Sequence, residues 1–448
     1  MNRKFLIVGA GRSGICCAKM LLETGDDFVI YDGNPDLDTK KTEEQIGKDG
    51  LTFILDKITE NDIEGIDVCA VSPGVPYDSP VLSLAREKNI PLWSEIELAY
   101  LYDKGDIIAI TGTNGKTTTT SLVYEIVKAH NENTLLVGNI EIPYTGLALT
   151  SKEGGATVAE ISSFQLETMV TFKPKVSAVL NITPDHLDRH KTMENYIELK
   201  KSIAKNQDEN GFCVLNYDDE VLRAFGESLT NCKPLFFSAK EELENGLFYK
   251  DGTVYRAADG IATPYLTQAD TNLVGVHNFE NIMAAVLMTS AFGVPDETIK
   301  KAIKTFRAVE HRIEYVTEKK GVKYYNDSKG TNTDAAIKAI DAMPSTTVLI
   351  AGGYDKKSDY DEWVSHFPGK VRKLILIGQT KENIAAACEK IGFTDYIFAE
   401  DLTEAVTTAE KEAKEGDCCL LSPACASWGM FKNYQQRGDM FKELVNKI

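Results

Sequence analysis

Two glycine-rich turns constrain this chain more than any other feature, because each stands between a β-branched apolar run and a helical pattern. The first, "VGAGRSG", follows "KFLIV" near the N-terminus; the second, "TGTNGKTTTT", follows "DIIAI" in the middle of the chain. A strand that enters a helix through a tight glycine turn begins a β-α-β crossover, so each turn calls for a parallel sheet covered by helices. Two such sheets exceed one ordinary core, and the length of 448 residues predicts about two or three domains.

The same alternation continues throughout. "GICCAKMLLETG" is predicted as a helix closed by Gly25, with "DFVIYD" and "DVCAVSPGV" as further strands of a first block. After "DIIAI" and a helix from Lys116 to His130, the strands "TVAEI", "VSAVLNI", "GFCVLNY" and "PLFFSA" make a second. Asp251-Gly252 in "LFYKDGTVYR" predicts a hairpin, and "HNFENIMAAVLMTSAFG" predicts a buried helix. A third block holds the hairpin "IEYVTEKKGVKYYND", the strands "TTVLIAGG", "KLILIG" and "CCLLS", and a terminal helix. Boundaries near residues 94 and 307 divide the chain into 1–94, 95–307 and 308–448. The expected class is α/β: a Rossmann-like N-terminal domain, a P-loop-type central ATPase and a Rossmann-like C-terminal domain, each with a mainly parallel sheet and helices.

Composition narrows the partners. A charged content of 26% fits a soluble globular protein. A net charge of −18 argues against nucleic acid, because a polyanion needs a basic face. Anionic substrates must then be held by backbone N–H nests and a few chosen Arg and Lys. No secretory signal and no apolar run long enough to span a bilayer is present, so a cytoplasmic protein with no membrane partner is expected. Nine cysteines without a CxxC spacing predict reduced, mostly buried thiols.

In the first turn, Gly9, Gly11 and Gly14 allow a diphosphate to approach a helix N-terminus, and Asp32 at the end of the next strand could accept from a ribose or base. Only about half of a dinucleotide fold fits before the strand at Asp106, which favours one nucleoside diphosphate over NAD. Arg12 and Ser13 add a charge and a hydroxyl inside the turn; Ser72 and Gly74 lie at a strand's carboxyl end. A purely structural role stays open for each of these.

In the second turn, backbone N–H groups of Gly112, Thr113, Asn114 and Gly115 could surround phosphate oxygens, with Thr118 close by. Lys116 could reach the β/γ bridge of ATP, and the Thr117 hydroxyl could bind Mg2+. The general P-loop pattern asks for glycine where Ile110 stands, so the match is partial. Glu160 and His186, each after a strand of the same sheet, are candidate Mg2+ ligands. Asn278 and Asn281 share a helix face and would be costly to bury unpaired.

In order along the chain, "GTNGKTT", "AEISSFQLE", "NITPDHLDRH", "HNFEN", "EHRIE" and "NDSKGTN" resemble the Mur ligases, ATP-dependent amide-forming enzymes of bacterial cell-wall synthesis. "SPACASWGMFKNYQQRGDMF" and the short N-terminal domain resemble those members that act on UDP-N-acetylmuramoyl-L-alanine and D-glutamate. The resemblance covers nearly the whole chain. It implies an acyl-phosphate mechanism with ATP and two Mg2+ ions, and a monomer is expected. It implies that Lys116 steadies the transferring phosphoryl group, that Thr117 and Glu160 hold one ion, and that His186 holds a second beside the acyl phosphate. Lys200, rather than Lys201, matches a lysine that is carbamylated in the family, and would act on the metal side. Adenine falls to Asn278 with Asn281 nearby, a phosphate to Arg312 and the ribose to Asp327. D-Glutamate is implied to meet Thr331, Ser427, His186 and either Lys356 or Lys357, with Tyr434 where phenylalanine is common. Asn139 is implied to face the UDP-sugar, although Glu141 stands beside it where glycine is frequent.

Other classes predict different features. An NAD oxidoreductase would need a second dinucleotide half and leaves "GTNGKTT" without a role. A nucleotide-sensing module would need no Lys200, His186 and Glu160 together. Folylpolyglutamate synthase lacks the N-terminal nucleotide domain, and the ligase that adds a diamino acid carries a DNPR stretch that is missing here.

Overall fold

The computed structural model of the chain describes residues 3–140, 142–307, 310–355 and 358–448. Glu141, Lys356 and Lys357 therefore lie outside the described residues. The chain forms two compact units, Met1–Thr267 with Glu280–Ile303, and Gln268–Phe279 with Lys304–Ile448. All nine cysteines are free and eight are buried, as expected. No helix among the described residues is long and apolar enough to cross a membrane.

The first unit contains two sheets. Strands β1 (Lys4–Val8), β2 (Asp27–Asp32), β3 (Phe53–Leu55), β4 (Val68–Val71) and β5 (Leu92–Ser94) lie in the order β3-β2-β1-β4-β5, all parallel. Phe5 and Ile7 enter one core while Leu6 and Val8 enter another, so β1 is buried on both faces. The helix Arg12–Thr24 stops at Gly25, which takes a left-handed conformation. Gly14 cannot be replaced without a clash, since a Cβ there would lie 1.9 Å from the Gly9 carbonyl oxygen. The half-fold expected from the sequence is not what forms: a five-stranded sheet fits before Asp106. It fits because β3 and β5 have only three residues each, too short to show a period.

The second sheet has nine strands: β6 (Asp106–Thr111), β7 (Thr134–Gly138), β8 (Ala156–Glu160), β9 (Val176–Val179), β10 (Phe212–Asn216), β11 (Lys233–Ser238), β12 (Gly246–Lys250), β13 (Thr253–Ala258) and β14 (Ile261–Thr267). Their order is β14-β13-β12-β11-β10-β9-β6-β8-β7, parallel from β7 to β12 and antiparallel through the β12–β13–β14 meander. The predicted Asp251-Gly252 hairpin joins β12 to β13. β14 is absent from the sequence expectation: Pro264 interrupts its pattern, and an edge strand tolerates such a residue.

The second unit has one sheet, built from β15 (Glu314–Lys319), β16 (Val322–Asn326), β17 (Thr347–Ala351), β18 (Val371–Leu376), β19 (Tyr396–Phe398) and β20 (Cys418–Leu421). The order is β15-β16-β20-β17-β18-β19, with β15 antiparallel to β16 and the rest parallel. Leu349 and Ala351 pack to one side of β17 and Val348 and Ile350 to the other.

Candidate functional site

Strand order decides which loops meet. β8 and β9 flank β6, and β7 pairs with β8, with Ile110 opposite Glu160 and Ala178, and Gly138 opposite Glu160. The segments after four parallel strands therefore emerge together at the carboxyl end of the sheet, where ligands of open α/β sheets bind. These are the glycine turn after β6, Asn139 after β7, the segment after Glu160, and Asn181 to His186 after β9.

The glycine turn starts the helix Lys116–His130 and is clamped by Asn181. The Asn181 side chain accepts from the Asn114 N–H at 2.8 Å and donates to the Asn114 carbonyl at 3.2 Å, while its backbone carbonyl accepts from the Thr113 N–H at 3.0 Å. Two of the N–H groups expected to hold phosphate, those of Thr113 and Asn114, are thus engaged by the protein. The candidate phosphate donors are then the N–H of Gly112 and those from Gly115 onward, in the first helical turn, where backbone N–H groups lack intrahelical acceptors. Gly115 adopts φ 82°, and a Cβ there would meet the Asn281 side-chain oxygen at 2.3 Å. That oxygen also accepts from the Thr119 hydroxyl at 3.2 Å, so Asn281 packs beside the loop. Lys116 Nζ donates to the Gly112 and Thr113 carbonyls, both at 2.8 Å, which keeps its charge over the loop. Thr117 and Thr118 are buried beneath it.

A buried carboxylate and a buried amine stand beside this loop. Glu160 is 2% exposed. Its Oε1 accepts from Asn139 Nδ2 at 2.9 Å, and its Oε2 is buried with no hydrogen-bond partner among the described residues. An orphaned carboxylate oxygen is costly in the interior and fits a cation ligand. Lys200, at the end of the helix Met193–Lys201, is 1% exposed and donates to Thr111 Oγ1 and to the Gly112 carbonyl, both at 2.9 Å. Burial, and then the positive charge of Lys116, push its pKa well below the ordinary lysine value. The solvated helix face that most lysines occupy is therefore not where Lys200 lies.

His186 caps the short helix Leu187–His190 in a left-handed conformation, with its ring 4.8 Å from that of Phe164 and its Nε2 3.4 Å from Asp185. Three residues on, Arg189 donates to the Pro73 and Val75 carbonyls, both at 2.9 Å, and pairs with Glu167. These contacts join the helix to the turn after β4. At the first glycine turn, Ser72 Oγ donates to the Gly9 carbonyl at 3.1 Å, and Gly11, Arg12 and Gly74 are exposed. Ser13 is half-buried in the first turn of its helix. Both Asp32 oxygens already accept backbone N–H groups, from Ala10 at 2.8 Å and Asn34 at 2.9 Å. Asp32 thus shapes the turn itself, and its contact to a ribose or base needs further acceptor capacity on the same oxygens.

In the second unit, two strand ends carry expected residues, Asp327 and Thr331 after β16 and Ser427 after β20. Asp327, after β16, accepts from Ser422 Oγ at 2.8 Å and the Ile313 N–H at 3.3 Å, and burial pushes its carboxyl up to about 7 despite those bonds and the Arg312 charge. Arg312 Nε is buried without a partner among the described residues. Arg437 is fully buried and donates to Ser328 Oγ at 2.9 Å, the Ser328 carbonyl at 2.8 Å and the Cys425 carbonyl at 3.2 Å. It thereby ties the loop bearing Asp327 and Thr331 to the loop bearing Ser427. The Tyr434 carbonyl accepts from Ser328 Oγ at 2.8 Å, and its ring meets His311 edge-on at 5.9 Å. Asn278 Nδ2 donates to the Val274 carbonyl at 2.7 Å.

Residues 3–94 match the family described as "Mur ligase MurD-like, N-terminal domain", 110–289 the "Mur ligase middle domain", and 311–425 the "Mur ligase, glutamate ligase domain". The chain belongs to the Mur ligase family. Among Mur ligases, it is 51% identical over 450 residues to the UDP-N-acetylmuramoylalanine–D-glutamate ligase of Lachnospira eligens, across 100% of this chain and 99% of that protein. It is 47% identical over 449 residues to the enzyme of the same name from Thermoanaerobacter pseudethanolicus, with the same coverage. Solved Mur ligases share the fold at low identity. UDP-N-acetylmuramate-alanine ligase MurC from Thermotoga maritima gives a TM-score of 0.61 at 16% identity over 100% of both chains. MurF from Acinetobacter baumannii gives 0.63 at 16% over 99% of this chain and 93% of that one.

The motifs of the Mur ligase resemblance contain residues whose structural work the sequence does not show. Asn181 and Arg189 both lie in "NITPDHLDRH", and Glu167 closes "AEISSFQLE". Their partners lie 67, 116 and 22 residues away, and no local spacing signals such contacts. Arg437, inside an amphipathic helix, gives no sign in the sequence that its guanidinium is buried.

Proposed function

We propose that this Mur ligase joins D-glutamate to UDP-N-acetylmuramoyl-L-alanine at the expense of ATP, releasing ADP and phosphate. The observation that carries the proposal is the convergence of the phosphate loop, the orphaned oxygen of Glu160 and the buried amine of Lys200 at one sheet end. Full-length identity to ligases of that name supports the choice of substrates.

In the first step, a carboxylate oxygen of the L-alanyl group attacks the γ-phosphorus of ATP, forming an acyl phosphate and expelling ADP. Lys116 holds charge beside the oxygens that gain it, and the first turn of its helix supplies N–H donors. In the second step the D-glutamate amine attacks the acyl carbon, a tetrahedral intermediate forms, and phosphate leaves with loss of a proton from the amine. Glu160, Thr117 and His186 are the residues proposed to hold Mg2+, two ions in all. Mg2+ held by these residues would supply charge neutralisation for the phosphate oxygens. Burial shifts Lys200 toward its uncharged amine; such an amine adds to CO2 with loss of a proton, and the carbamate so formed would place an anion at the metal side of the loop.

The nucleotide is assigned to Asn278, Asn281, Arg312 and Asp327, with the unpartnered Arg312 Nε suited to a phosphate. The UDP group is assigned to Gly11, Arg12, Ser13, Asp32, Ser72 and Gly74. D-Glutamate is assigned to Thr331, Ser427, Tyr434 and a lysine of the pair 356 and 357. Asn139 is assigned to the sugar nucleotide, and its bond to Glu160 gives it the added task of orienting that carboxylate. We further propose 1–94, 95–307 and 308–448 as the substrate, ATP and amino-acid domains, acting as a monomer in the cytoplasm.

Phosphate release measured with each component omitted in turn tests the whole scheme. Release should require UDP-N-acetylmuramoyl-L-alanine, D-glutamate, ATP and Mg2+ together. Equal turnover with L-glutamate, or without the UDP-sugar, would refute it.

A further inference from the structure

Arg189 has a set of contacts that the phosphate chemistry and the substrate assignments leave unused. Its NH1 donates to the Pro73 carbonyl and its NH2 to the Val75 carbonyl, each at 2.9 Å. Its Nε and NH2 also meet the two oxygens of Glu167, at 2.9 and 2.5 Å, and its guanidinium carbon lies 4.1 Å from the centre of the Phe164 ring. The pair is well shielded, with side chains 15% and 9% exposed. Glu167 in turn faces His190 Nδ1 at 3.4 Å, and the other nitrogen of that buried ring is 3.0 Å from Ser163 Oγ. Arg189 is the cation that meets both oxygens of Glu167.

The two ends of this clamp matter more than its strength. Pro73 and Val75 belong to the turn after β4, which leans on the first glycine turn through the Ser72 bond to Gly9. Arg189 belongs to the helical turn that His186 begins, and its own N–H donates to the His186 carbonyl at 3.0 Å. Arg189 thus links the segment assigned to the sugar nucleotide, through its guanidinium, to the residue assigned beside the acyl phosphate, through its backbone N–H. A lysine cannot do the same, because a single ammonium on a flexible stem cannot hold two carbonyls and both oxygens of a carboxylate.

We infer that Arg189, oriented by Glu167, is a positioning residue that holds the Ser72–Val75 turn at a fixed distance from His186, so that a UDP-sugar anchored on the first sheet presents its carboxylate to the phosphate loop. The inference rests on the substrate assignment proposed above. It predicts a loss that is largest for the UDP-sugar, since the guanidinium bonds run to the turn after β4 and to Glu167, whose carboxylate otherwise faces His190.

The test is steady-state kinetics of the full chain, wild type beside Arg189→Lys and Glu167→Gln, with each substrate varied while the others saturate. Loss of charged hydrogen bonds should raise the KM for UDP-N-acetylmuramoyl-L-alanine by about tenfold in Arg189→Lys, with a fall in kcat. The KM values for ATP and D-glutamate should stay within about twofold. Glu167→Gln should shift the same KM in the same direction, by less. Titration of the UDP-sugar alone, without ATP, should weaken in parallel. A lower melting temperature with all KM values unchanged would show a structural role alone and overturn the inference, as would an equal rise in all of them. If Arg189→Lys does not fold, Glu167→Gln decides by the same criterion. Wild type that turns over without the UDP-sugar would instead refute the assigned function, which separates the two failures.

Discussion

The two glycine turns of the first unit have the same local plan and different surroundings. Each joins a parallel strand to a helix whose N-terminus faces outward at a sheet end. At the first, the exposed Arg12 faces solvent and Asp32 accepts backbone N–H groups of the turn and its neighbour. At the second, two lysines and a buried glutamate with an unpaired oxygen crowd the loop. The shared plan explains why both can face a phosphorylated molecule. The difference fits the proposal that the second moves a phosphoryl group: transfer needs charges fixed where charge develops, and those are expensive to bury.

The largest expected effect separates the turns directly. Lys116→Ala should cut kcat by a factor on the order of a thousand, while titration shows UDP-N-acetylmuramoyl-L-alanine binding almost unchanged. Loss of both would mean that the turns do not have separate duties. Lys200→Ala should lower turnover by about a hundredfold, and added short carboxylic acids should restore part of it. Normal turnover without that amine would end the carbamate proposal and leave Lys200 a structural cation.

The first turn should be governed by space. Gly14→Ala forces a Cβ against the Gly9 carbonyl and should cost about 2 kcal/mol of stability or more, read by denaturant unfolding. At Gly11, nothing lies within 4 Å of an added Cβ, so Gly11→Ala should leave stability nearly intact and act on the UDP-sugar KM. Equal destabilisation by the two substitutions would contradict this account of the turn.

The smallest effect belongs to the second unit, where Asp327 is buried without the close cationic contacts of the phosphate loop. Its folded pKa of about 7 lies above its unfolded value, so the folded chain binds this proton more tightly. The ionised form then costs stability, in full above pH 7, and the cost vanishes as pH falls toward about 4. Asp327→Asn should therefore raise the melting temperature at pH 8 and lose that advantage progressively toward pH 5. A pH-independent difference would place the proton elsewhere.

Much of the fold is legible in the sequence. Strand, turn and helix at each glycine motif follow from φ freedom and apolar period within a dozen residues or so, and the hairpin at Asp251-Gly252 follows from turn chemistry. The short strands β3, β5 and β19 are not legible, because three residues carry no period, and β14 hides behind Pro264. At the site, motif alone singles out Glu160 and Lys200, but nothing local tells that Asn181 uses the Thr113 and Asn114 N–H groups.

By itself, then, the chain of residues determined its α/β class, its glycine turns and the chemical family its ordered motifs belong to, since all of these are local patterns. Tertiary structure alone decided that β8 and β9 flank β6, that Asn139 leans on Glu160, that the Lys200 amine is dry, and that Arg189 reaches back to Pro73 and Val75. The physical reason is distance along the chain: such contacts and their desolvation depend on which strands pair, and strand order is set by burial over the whole sheet.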